Sequence, residues 1–184
     1  MMNNNFEEVR KILTGNLSRS YTDLQVNMIL QKPELFDHYI ACWLLHEQPV
    51  SRLAAWVITH AVLKSPNLAE PHLGRLIEHA PLMKHDGEKR SLAKIFTLIH
   101  LPESLYGEIL DLCFDWMSDN REAIATRAYC METLLNLSRE FPEIRGEMVA
   151  VIENNIDFFS AGLKNKGIKV LKQLYARDKK PERY

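Results

Sequence analysis

Residues 51–64 read SRLAAWVITHAVLK, and residues 89–100 read KRSLAKIFTLIH. Laid over one another, the two share a basic residue (Arg52, Arg90) and a small residue three positions later (Ala55, Ala93). The same frame returns as Arg127-Ala-Tyr-Cys130 and Lys164-Asn-Lys-Gly167, at offsets of 38, 37 and 37 residues. Three positions beyond the small residue stand Ile58, Phe96, Thr133 and Val170, and seven beyond stand Val62, His100, Leu137 and Leu174. Steps of three and four are helical steps. A small side chain inside an apolar stripe lets a neighbouring helix approach closely, with larger residues filling the seam on either side. One R-x-x-A carries no information, but four in register are an internal repeat.

Working outward, Pro and Gly punctuate the chain and helical patterns fill the gaps. Pro33 opens a predicted helix to about 47, Ser51 caps one to 64, and Pro71 opens one to 79. Asp86 caps one to about 99, Pro102 starts one ending near 117, and Asn120 caps one to about 140. Pro142 opens one to 155 and Ser160 caps the last, to 176, while residues 5–14 and 21–31 read as two more. No segment alternates as a strand does. Short connections make consecutive helices antiparallel neighbours, grouped as pairs 33–64, 71–99, 102–140 and 143–176.

This pattern resembles HEAT repeats, whose second helix carries a basic residue followed three later by a small one. The resemblance covers residues 33–176. It departs from the family where a valine should precede the basic residue: Ser51, Lys89, Thr126 and Leu163 stand there, and the fourth copy has Lys and Gly. The resemblance implies an all-α, right-handed α-α superhelix, a short solenoid of about four to five antiparallel helix pairs. Residues 1–184 would form one domain, with cap helices in 1–32, four repeats in 33–176 and a basic flexible tail in 177–184. It also implies that Arg52, Arg90, Arg127 and Lys164 form a ladder bonded to acids near the inter-helix turns, with Asp86 and Asp119 as candidate partners.

Composition bounds the function. With 184 residues and 46% hydrophobic content the chain can bury a sizeable core. A net charge of −1 shows no global footprint for nucleic acid or membrane. The charge is uneven: residues 161–184 carry eight Lys/Arg against two Asp/Glu. Cys42, Cys113 and Cys130 form no CxxC pair and read as buried thiols of a cytoplasmic protein. The longest apolar stretch, 53–63, is too short to span a bilayer.

Chemistry-bearing constellations are few. Glu108, Asp111, Asp115 and Asp119 fall within an arc of about 80° on one helix or its end. They form an acidic stripe suited to solvent or an intramolecular cation, to a basic partner, or to a hard metal ion, although a straight helix wraps few such oxygens around one ion. His38, Cys42 and His46 share a face at i, i+4, i+8, but their helix is apolar nearly all round and lacks a fourth metal ligand. Trp43, Trp56 and Trp116 read as core or as binding-surface aromatics. There is no Walker loop, GxGxxG or GxSxG elbow, and no cofactor or metal is implied.

Two functions stay open. One is a non-catalytic scaffold that binds a partner protein or peptide on a concave helical surface, with Arg52, Thr59, His60, Lys94, Glu132 and Asn136 as exposed candidates. The other is a DNA-binding enzyme resembling the helical-repeat glycosylases that excise alkylated bases, for which Asp115-Trp116 is the one adjacent pair of the right type. The acidic body disfavours nucleic acid, and the sequence leaves the oligomeric state open.

Overall fold

The computed structural model describes residues 2–178, all-α and with no strand among the described residues. Ten α-helices follow one another: α1 (Met2–Gly15), α2 (Arg19–Gln31), α3 (Leu35–Trp43), α4 (Val50–Lys64), α5 (Leu73–Glu78), α6 (Asp86–Phe96), α7 (Tyr106–Ser118), α8 (Ile124–Leu137), α9 (Ile144–Asn155) and α10 (Ala161–Asp178). Each coincides with a helix expected from the sequence. Residues 179–184, most of the expected basic tail, lie outside the described residues. Contacts gather into two compact units, residues 1–106 and residues 107–184.

In the first unit α4 is the centre, packed against α2, α3 and α6, while α1 packs on α3 and α4. Second helices thus lie on second helices, as stacking of helix pairs requires. The sequence of α4 explains its place. Ala54, Ala55 and Ala61 are fully buried and keep the backbone accessible to three neighbours, while Val57, Ile58 and Val62 fill the seams. In the second unit α8 and α9 both pack against α10. Gly167 serves there as the small residue: a Cβ at that position would stand 3.1 Å from Ile152 Cγ2 and 3.5 Å from the Phe159 ring. All four small positions of the repeat, Ala55, Ala93, Cys130 and Gly167, are buried.

Several boundaries move inward. The helix opened by Pro33 ends at Trp43, because His46 takes a left-handed φ of 57° and reverses the chain. Ser51 is no cap: it lies in the first turn of α4, buried, and its hydroxyl donates to the Cys42 carbonyl at 3.3 Å. His85 rather than Asp86 caps α6, with Nδ1 accepting from Gly87 N at 2.9 Å. Ala123 rather than Asn120 precedes α8. Helix α6 stops at Phe96, which leaves His100 exposed outside the repeat frame.

Residues 66–82 fold as three 3-10 turns around the six-residue α5. Pro66, Pro71 and Pro81 each remove a donor from the backbone ladder, so no long helix can run through them. Leu73, Leu76 and Ala80 anchor the segment in the core. His72 Nε2 lies 3.2 Å from Asp37 of α3, with its ring 5.4 Å from that of Phe36, and the His79 ring stacks on His46. Burial pushes the pKa of both His46 and His72 down, against the raising field of Asp37 on His72.

Candidate ligand-binding surface

Because α4 is surrounded on most sides, it offers one stripe to solvent: Arg52, Trp56 and His60, at successive turns. Arg52 and Trp56 of this stripe line a cavity of about 350 Å³ within the first unit. Arg19, Thr22 and Gln25 of α2 line it from one side and Gly87 and Arg90 of α6 from the other, with Leu13 and Leu17 at its end. Its polar floor is held in place. Gln25, nearly fully buried, accepts from the Tyr39 hydroxyl at 3.1 Å, and the Thr22 hydroxyl donates to the Ser18 carbonyl.

The aromatic centre is Trp56, 39% exposed, while Trp43 and Trp116 are buried. The His60 ring tilts against it at 4.2 Å and the Arg90 guanidinium lies 5.8 Å from its centroid. His60 Nδ1 stands 2.8 Å from the Trp56 carbonyl, which can only accept, so that nitrogen carries the proton. Nε2 is then the acceptor for Arg19 Nη1 at 3.0 Å, and Arg19 also holds Asp23. Arg52 is positioned by shape. Gly87 leaves room for its stem, since a Cβ there would meet Arg52 Cγ at 3.1 Å. The cavity therefore gathers three guanidiniums around an exposed indole, and no described residue lining it is Asp or Glu.

The sequence-derived candidates divide. Arg52 and His60 belong to this surface, and Lys94 stands one turn beyond Arg90 on α6. Thr59 does not qualify: it is buried, its hydroxyl donating to the Ala55 carbonyl at 2.8 Å, because it sits a helical step away from the exposed stripe. Glu132 and Asn136 lie on α8 in the second unit, where Glu132 accepts from Lys166 Nζ at 2.9 Å. Arg19 lies outside the residues expected from the sequence, and Trp56 reads there as core or surface aromatic alike. An aromatic at helical spacing fits a core equally well, and Arg19 precedes the repeat frame.

The acidic stripe is not uniform. Glu108, Asp111 and Asp115 are exposed along α7. Asp119 lies past the helix end, gripped by Arg121 at 2.8 Å, and its charge bears on Arg127. Trp116 is in the core while Asp115 points to solvent, so the adjacent pair expected of a glycosylase-like site is split between two environments.

The ladder residues also diverge. Arg127 is buried, donates from Nε to the Met117 carbonyl at 3.0 Å and stacks 4.8 Å over Phe159. Lys164 pairs with Asp157 in the turn before α10, at 3.1 Å. Two thiols far apart in sequence meet as well. Cys113 of α7 and Cys130 of α8 are hydrogen-bonded and buried, and burial followed by the neighbouring sulfur raises the Cys113 pKa. Cys42 is raised to about 11, mainly by burial. Among the described residues no group of three or more His, Cys, Asp or Glu is placed to hold a metal ion, and no helix is long and apolar enough to cross a membrane.

A family model for the HEAT repeat domain matches residues 9–174. No curated protein sequence and no solved structure matches the chain.

Proposed function

From the premise that the chain belongs to the HEAT repeat domain family, we infer that it is a non-catalytic binding module that holds a partner protein or peptide on the solvent face of its second helices. One observation supports this reading above others: the α2–α4–α6 cavity with Trp56 exposed at its centre. Exposed, partly fixed aromatics flanked by arginine are the residue types that dominate binding energy at protein interfaces. The family's stacked helix pairs serve protein interaction generally, and a surface needs no reacting group to do so.

The test is affinity capture with the intact chain and with Trp56→Ala, each checked for unchanged helical content and melting temperature. The expected result is a stoichiometric protein partner that survives nuclease treatment and is lost from the Trp56→Ala sample. A partner retained at full yield by Trp56→Ala would overturn this surface, and recovery of nucleic acid in place of protein would overturn the module.

A further inference from the structure

The charge of the cavity narrows its occupant beyond a partner of unspecified chemistry. Arg19, Arg52 and Arg90 converge on it from three helices, and none of its described lining residues is a carboxylate. Arg19 is already committed to Asp23 and His60, whereas Arg52 and Arg90 are set by packing, against Gly87 and over Trp56 respectively. Two forked donors in a cavity whose lining also includes Leu53 and the exposed Trp56 match carboxylates that alternate with an apolar side chain. A nucleic acid fits less well. Its affinity grows with the number of phosphates neutralised, and residues 1–106 hold eleven Lys/Arg against eleven Asp/Glu, with Asp23 paired to Arg19. Against that balanced total, the cavity lining holds three guanidiniums and no carboxylate, a local surplus on the scale of a few peptide residues.

We propose that this cavity takes an acidic peptide segment, its carboxylates received by Arg52 and Arg90 and an apolar side chain between them laid on Leu53 and Trp56. This rests on the binding-module reading and specifies its ligand.

The test screens a random dodecapeptide array against the wild-type chain, Arg52→Glu, Arg90→Glu, Trp56→Ala and, as an off-site control, Arg75→Glu. Circular dichroism verifies folding of each, and Arg52→Gln and Arg90→Gln repeat the test without charge reversal. The expected result is enrichment of peptides with Asp or Glu flanking an apolar residue. The best of them should bind roughly tenfold or more weaker to either arginine variant and unchanged to Arg75→Glu. Binding should also shift the fluorescence of Trp56, the one exposed tryptophan among the described residues, and weaken with salt. Enrichment of peptides without acidic bias, still lost in Trp56→Ala, would overturn the acidic occupant and leave the binding face standing. No peptide discriminating wild type from Trp56→Ala would overturn both. A single- or double-stranded oligonucleotide binding more tightly than any peptide, with the same arginine dependence, would overturn the peptide in favour of nucleic acid.

Discussion

Arg90 and Arg127 occupy the same position of one repeat, 37 residues apart, and have opposite surroundings. Arg127 is buried, its Nε spent on a backbone carbonyl and its plane on Phe159, and burial lowers its pKa against the opposing field of Asp119. Arg90 is exposed over an exposed indole. Arg52 resembles Arg90, and Lys164, salt-bridged to Asp157, resembles Arg127. The repeat therefore specifies where a cation stands along a helix but not what it is for. In the second unit the position knits helices to turns, and in the first it faces a cavity.

The sharpest way to break this comparison is to remove Arg127. Arg127→Ala strands the Met117 carbonyl and leaves a void over Phe159, so it should cost about 3 kcal/mol in urea unfolding. A loss below about 0.5 kcal/mol would mean the buried arginine is not structural. Next are the small residues that set the register. Gly167→Leu collides with Ile152, and Ala93→Phe overfills a fully buried site. Each should cost about 2 kcal/mol by overpacking. Unchanged melting temperatures would place the repeat register wrongly.

Glu88 sharpens the contrast from the acid side. It is buried two residues before Arg90, bonded by Gln48 Nε2 at 2.7 Å, and burial raises its pKa despite the lowering hydrogen bonds. An arginine of the ladder at this place would hold the pKa down. The folded state binds the proton more tightly than the unfolded chain, whose value lies near the ordinary ~4.3. The stability this contributes is complete below that value and is lost as pH rises through the raised folded value. Glu88→Gln should therefore stabilise the fold at pH 7 by about 1 kcal/mol, seen as a higher melting temperature, and flatten the loss of stability above the ordinary carboxylate range. A lower melting temperature at pH 7 would mean the carboxylate is compensated after all. The smallest effects belong to the cavity: Arg52→Ala and Arg90→Ala should each change stability by less than about 0.5 kcal/mol while weakening peptide binding. A larger loss of stability from either would return these arginines to the structural ladder.

The fold was largely legible because its determinants are periodic. Alanines and cysteine three residues after a basic side chain mark close crossings wherever they occur, and Pro33, Pro71 and Pro142 mark helix starts by a local rule. Local rules failed where tertiary packing competed. Ser51 gave up capping to bond the Cys42 carbonyl, and the helix after Pro33 stopped at Trp43 because the chain had to turn at His46. The site was less legible, since periodicity assigns a residue to a stripe without saying whether that stripe is covered. Trp43 and Trp56 have equally helical contexts, yet one is fully buried and the other is exposed. Thr59 and His60 are adjacent, and a single helical step puts one inside and the other against the exposed Trp56.

The placement of the sulfhydryls gives the molecule a pair of clocks. Cys42 lies in the first unit and Cys113 and Cys130 in the second, all three shut away from solvent. An alkylating reagent can reach them only when the surrounding helices part, so the rate at which each acquires its label records the opening of its own neighbourhood. Two labelling rates that coincide would describe a chain that breathes as one body, and two that diverge would time each half separately.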